Sequence, residues 1–561
     1  MPWGREKYAT PVVRASRSDN RIILDKFSCR CDALLVSNDE QTEDDMGRRI
    51  AALVIAAAGL LGTGGVAVAE GQDAGVVRTD AGPVRGTVTA DSRTFQGVPY
   101  AAPPVGELRW RAPQPPRRWT VPRDATTPAS RCAQPQNIGP ASESEDCLYL
   151  NVTTPRSAGL KPVMVWLHGG GNAFGAGSDY DARRLAVGGD VVVVTVNYRL
   201  GVFGFLGLPR LDGAGTFGMQ DQQAALRWVQ RNAAAFGGNP DNVTLFGQSG
   251  GSYDICAQLT SPPARGLFQR VIMESGSCSM TWPRNGVNPG IPAGSPWQSQ
   301  SSVDAQGATL AASLGCPAGP SQVDCLRRIS VPQLLTASQS AALPAVAYGN
   351  QVLPWRPDRA LAEGRYAKIP VISGTNLDEQ RLATAFLPQA FTEAGYQQLL
   401  VDAFGTKAPA VAAKYPSSAY GSSAVAWATV ATDRVWSCTQ VTDQRTLARS
   451  APTYSYEFAD RTAPAPFPFP EGLPPGAYHG AEMEYLFDLN GVPTPLNAEQ
   501  RALADRMIRY WTTFARTGNP NAPGTPTWPR FGGGATLSLV PGAPRTVDLT
   551  AEHNCAFWAG L

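Results

Sequence analysis

The feature that most constrains this 561-residue chain is a five-residue bend. Val243-Thr244-Leu245-Phe246 is β-branched and apolar and reads as a buried strand. It runs directly into Gly247-Gln248-Ser249-Gly250-Gly251, and Ser252–Leu259 then reads as a helix. Turning from strand to helix in so few residues brings backbone against backbone. The flanking positions must be tiny, and Gly247 and Gly251 meet that need. Ser249 is thereby held out at the end of a strand and at a helix N-terminus, where negative charge is favoured. The bend predicts a serine nucleophile on a sheet covered by helices.

A second strand, Val163-Met164-Val165-Trp166-Leu167, ends in His168-Gly169-Gly170-Gly171. Glycines there would let backbone N–H groups reach a developing oxyanion without side chains in the way. Gly170 and Gly171 are expected to act with Gly250, the residue after the nucleophile. His168 is expected to brace this loop rather than act as a base.

Further blocks carry a resemblance. They include Phe95-Gln96-Gly97-Val98-Pro99-Tyr100, Arg109-Trp110-Arg111-Ala112-Pro113, Ser144-Glu145-Asp146-Cys147-Leu148-Tyr149-Leu150-Asn151 and Phe236-Gly237-Gly238-Asn239-Pro240. With the two glycine motifs, the chain resembles the type-B carboxylesterases, the large α/β-hydrolase family that includes cholinesterases and fungal lipases, from about Val76 to Leu561. The resemblance implies an α/β-hydrolase fold, with a large, mostly parallel central sheet, helices on both faces and cap-like insertions. It also implies a serine esterase acting on a small-molecule ester, with no cofactor and no metal.

A serine hydroxyl needs an adjacent base, and the base needs an orienting acid. The chain has three histidines, and in this fold the base follows the serine. His553 lies close to the C-terminus. His479 sits in a loop after Pro474-Pro475-Gly476-Ala477-Tyr478 and matches the family's His-Gly-x-Glu string, so it is the expected base. The acid should follow the strand Pro370–Ser373, in Gly374-Thr375-Asn376-Leu377-Asp378-Glu379. Physics alone does not separate the adjacent carboxylates; the resemblance selects Glu379 over Asp378.

Gln248 and Gly250 stand where many relatives carry Glu and Ala. Gln248 removes a charge beside the site, which should weaken attraction for cationic substrates. The loop between Cys132 and Cys147 lacks the tryptophan with which cholinesterases stack choline, so that specificity is not expected. Trp282 aligns with an acyl-pocket tryptophan, although core packing would explain it equally. Arg199 with Asp221, and Arg109 with Glu145, resemble structural ion pairs of the family. The family also implies disulfides Cys132–Cys147, Cys316–Cys325 and Cys438–Cys555, which leaves Cys256 and Cys278.

Export is the expected context. Met46 begins a stretch with Arg48 and Arg49, an apolar run Ile50–Leu61 and Ala67-Val68-Ala69, the three parts of a secretory signal peptide. A membrane anchor is the alternative, but the run is short and broken by glycines. Translation is expected to start at Met46, with 1–45 a misplaced upstream stretch, 46–69 a leader and 70–561 one hydrolase domain. Eight cysteines in the mature chain suit an oxidising compartment. Lys+Arg 48 against Asp+Glu 46 offers no basic footprint for nucleic acid. No later apolar segment is long enough to span a membrane. A lipase, polyester hydrolase or carbamate hydrolase would share the same triad. A non-catalytic adhesion protein on the same scaffold would be expected to lack one of its members.

Overall fold

Valine-rich strands buried on both faces build the centre of this protein. The structure is a computed structural model that describes residues 75–561 except 138 and 340–342. The expected leader and the stretch before it lie outside the described residues.

Eleven strands form the main sheet among the described residues. In chain order they are β1 (Thr87–Val88), β2 (Ser92–Pro99), β3 (Tyr149–Pro155), β4 (Lys161–Leu167), β5 (Val192–Val196), β6 (Gly238–Gln248), β7 (Arg270–Glu274), β8 (Val371–Asn376), β9 (Thr453–Phe458), β10 (Ala535–Leu539) and β11 (Arg545–Asp548). Their spatial order is β11-β10-β9-β8-β7-β6-β4-β5-β3-β2-β1. From β5 to β10 all pairings are parallel. Antiparallel strands close both edges.

Successive side chains of a strand point to opposite faces. Val163, Val165 and Leu167 of β4, with Val243 and Leu245 of β6, pack on one face against Leu226, Trp228 and Ile255. Those three come from helices Phe217–Asn232 and Gly250–Thr260. Met164, Trp166 and Phe246 pack on the other face against Met507, Trp511 and Phe514 of helix Ala498–Thr517. This two-faced burial makes the central strands continuously apolar.

Two insertions follow the strands that end near the site. Residues 279–350, weakly periodic in sequence, hold helices Gln300–Ser313, Gln322–Arg328 and Val331–Ser338. Between β8 and β9 a helical insertion has its own core around Tyr396 and Trp427. It ends in a wide π-helical turn, Thr432–Ser437, that runs into helix Cys438–Leu447.

Disulfides join Cys132 to Cys147, Cys256 to Cys278, Cys316 to Cys325 and Cys438 to Cys555. Arg199 meets Asp221 through two bonds of 2.7 Å, and Arg109 is paired with Glu145. No described helix is long and apolar enough to cross a membrane.

Candidate active site

Strand β6 ends at Gln248 and the next helix begins at Gly250, so Ser249 alone makes the turn. Its φ of 52° and ψ of −116° lie where side-chain-bearing residues rarely sit. The packing dictates the glycines. A Cβ on Gly251 would lie 2.0 Å from the Leu167 carbonyl oxygen, and one on Gly247 would lie 2.6 Å from the same atom. The Ser249 N–H donates to the Glu274 carbonyl at 2.9 Å, which fastens the bend to β7.

The triple-glycine loop leaves β4 beside this bend. Gly170 and Gly171 have φ of 103° and 60°. A Cβ on Gly250 would stand 2.8 Å from the Gly171 nitrogen, so the two motifs are in contact. Among the described residues, the N–H groups of Gly170, Gly171 and Gly250 donate to no protein acceptor. His168 braces the loop: its ring stacks on Tyr198 at 4.4 Å and its Nδ1 bonds the Gly169 carbonyl at 2.8 Å. Burial pushes its pKa down to about 4, so it is neutral near pH 7. A second brace was not legible in the sequence. Asn172 Nδ2 donates to Asp254 Oδ1 at 2.9 Å, and Gln222 Nε2 donates to Asp254 Oδ2 at 2.5 Å. Burial pushes the Asp254 carboxyl up to about 7.

Glu379 and His479 meet across two loops. His479 Nδ1 lies 2.5 Å from Glu379 Oε2. Glu379 Oε1 accepts from the Thr375 hydroxyl and from the Asn376 N–H, each at 2.8 Å. Burial would raise the Glu379 carboxyl, but the His479 ring and the Asn376 N–H hold it below its ordinary value. Burial likewise opposes charge on His479, yet Glu379 holds its pKa above 6.5. Asp378 turns away, pairing with Arg381 at 2.8 Å and Arg461 at 2.9 Å.

With Nδ1–H given to Glu379, Nε2 keeps a lone pair. The Gln248 amide nitrogen lies 3.2 Å from it. No hydrogen bond joins Ser249 Oγ to His479 among the described residues. The Trp436 ring packs 4.4 Å from the His479 ring, a contact that no local motif announces. Trp282 lies in the core and donates from Nε1 to the Pro292 carbonyl at 3.1 Å. No hydrogen bond or ring contact joins it to Ser249, Glu379 or His479. No cluster of metal-ligating side chains occurs among the described residues.

Residues 73–558 match the model of the carboxylesterase family. The chain is 34% identical over 515 residues to the para-nitrobenzyl esterase of Bacillus subtilis (strain 168), covering 85% of this chain and 97% of that protein. It is 34% identical over 501 residues to a cocaine esterase of Oryctolagus cuniculus, covering 81% and 89%. It is 33% identical over 513 residues to an acylcarnitine hydrolase of Mus musculus, covering 82% and 87%. The chain therefore belongs to the carboxylesterase family and is a carboxylic ester hydrolase on an α/β-hydrolase fold.

Proposed function

We propose that this is a secreted serine carboxylesterase working through Ser249, His479 and Glu379, with Gly170, Gly171 and Gly250 as the oxyanion hole. The observation that carries the reading is the 2.5 Å contact between His479 Nδ1 and Glu379, which leaves Nε2 free to take a proton.

The reaction follows from these groups. The Gln248 amide yields its place at Nε2 as Ser249 Oγ approaches. His479 takes the serine proton while Oγ bonds to the ester carbonyl carbon. The resulting oxyanion accepts from the three glycine N–H groups, which have no protein partner to lose among the described residues. Glu379 steadies the imidazolium. His479 then protonates the departing alcohol, and the C–O bond breaks to leave an acyl-serine. Water, deprotonated by His479, attacks that ester; the carboxylic acid leaves and Ser249 recovers its proton.

The natural ester is a small molecule, and p-nitrobenzyl and graded p-nitrophenyl esters are the first to assay. Ser249→Ala should abolish turnover in a folded protein and prevent labelling by an organophosphate. Turnover retained in that variant would falsify the assignment. Residues 46–69 serve as the leader and 70–561 as the mature hydrolase domain. N-terminal sequencing of exported protein tests this, and a mature chain that keeps residues 1–45 would contradict it.

A further inference from the structure

His553 has no part in the chemistry above, yet it occupies a built site. Its side chain is 4% exposed. Nδ1 lies 2.6 Å from Asp433 Oδ1, and Nε2 lies 2.7 Å from Glu457 Oε1. A neutral imidazole has one N–H, so a ring that donates to carboxylates from both nitrogens is an imidazolium. Burial opposes that charge, but the two carboxylates raise the pKa to about 10. Asp433 Oδ2 also accepts from the Tyr415 hydroxyl at 2.8 Å and from Asn554 Nδ2 at 3.2 Å. Glu552, the last residue of helix Leu549–Glu552, and Arg461 act on Glu457, and Arg545 acts on Glu552.

Each carboxylate sits on an element that supports the Glu379–His479 pair. Asp433 lies in the π-helical turn Thr432–Ser437. Trp436, three residues on, packs on the His479 ring and donates from Nε1 to Gln380 Oε1 at 3.0 Å. Thr432 Oγ1 accepts from the Gln380 N–H, also at 3.0 Å. Glu457 lies in β9, in register with Thr375 of β8, whose hydroxyl donates to Glu379. His553 thus joins the turn that backs the base to the strand beside the one that holds the acid.

We propose that His553 is a positioning residue for ester hydrolysis: its cationic ring, held between Asp433 and Glu457, fixes the Trp436 turn against β9 and so sets the geometry of Glu379 and His479. The inference rests on the triad reading of Ser249, Glu379 and His479. It goes beyond a structural role because it couples the C-terminal tail to the basicity of His479.

The test measures kcat, KM and the pH profile of kcat/KM for H553Q, H553K and the double variant C438S/C555S, each in the full-length enzyme. In H553Q, kcat should fall about tenfold or more while KM stays within about threefold. The acid limb should move to lower pH, because a loosened Glu379 no longer raises His479. H553K keeps a cation and should recover part of both effects. C438S/C555S removes a neighbouring tether and should lower Tm without moving the limb. A wild-type kcat and limb in folded H553Q would overturn the proposal. So would a limb shift of equal size in C438S/C555S, since general loosening would then explain it. The wild-type enzyme gives a check that needs no variant to fold. Of the three histidine ring signals, that of His553 should stay that of an imidazolium from about pH 5 to 9. A titration near 6.5 would overturn the proposal. Turnover in Ser249→Ala would sink the triad reading beneath it, a result distinct from every outcome for His553.

Discussion

In the proposed reaction His479 must be neutral to take the serine proton, so the sign of each of its neighbours sets the expected pH range of activity. Glu379 holds the His479 pKa above 6.5 against the effect of burial. The acid limb of kcat/KM should therefore lie above 6.5. Glu379→Gln removes the opposing charge and leaves burial to act alone, which lowers the pKa. That variant should show its limb at lower pH, with kcat reduced on the order of a thousandfold or more because the ring loses its tautomer control. Gln248→Glu should act in the opposite sense. It would set a carboxylate at the position now 3.2 Å from Nε2, and an opposite charge there raises the pKa. A pair of pH–rate profiles separates the two directions. If both variants moved the limb the same way, charge at positions 248 and 379 would not be what governs the basicity of His479.

At the scale of single elements, the candidate site is built on the segments that leave β4, β6, β8 and β9, and its legibility followed how far apart in sequence the partners lie. The Ser249 bend could be read because strand, glycine turn and helix fall in one short run of sequence, although the Leu167 carbonyl that excludes a side chain at position 251 comes from β4. The choice between Asp378 and Glu379 could not be made from the residues themselves. Asp378 is fixed by Arg381 and Arg461, and Arg461 comes from more than eighty residues away. Trp436 was equally hidden, since Asp433 of the turn that carries it bonds to His553 and Asn554, more than a hundred residues away. The Asn172–Asp254 brace belongs to the same class, because it links the triple-glycine loop to helix Gly250–Thr260. Asn172→Ala removes one donor from a buried carboxyl, which costs about 1–3 kcal/mol. The Gly170 and Gly171 amides would then be held less firmly, so kcat should fall more than KM changes. Equal changes in both, or none, would show that the loop is fixed by its backbone alone.

For the whole molecule, what matters is how the last residues close onto a sheet that is otherwise complete. The Cys438–Cys555 disulfide spans a sequence separation of 117, and closing a loop of that size stabilises by about 5 kcal/mol in the chain-entropy model. His553 adds a closure that depends on pH. Its folded pKa is raised to about 10 from an ordinary 6.5. A group whose pKa is raised on folding binds more protons in the native state, so its stabilisation falls as pH rises. That stabilisation should be complete below pH 6.5 and lost progressively as pH approaches 10. Other groups titrate in this window, so the informative quantity is the difference in unfolding free energy between the native chain and H553Q. Urea unfolding at about pH 7 and about pH 10 measures it. The difference should be large at the lower pH and shrink at the higher one, with the disulfide intact at both. A difference that stayed constant would mean that the ring contributes by packing and not by charge, and the tail would then be held by the disulfide, apolar contacts and neutral hydrogen bonds such as that from Trp558 Nε1 to the Tyr415 hydroxyl.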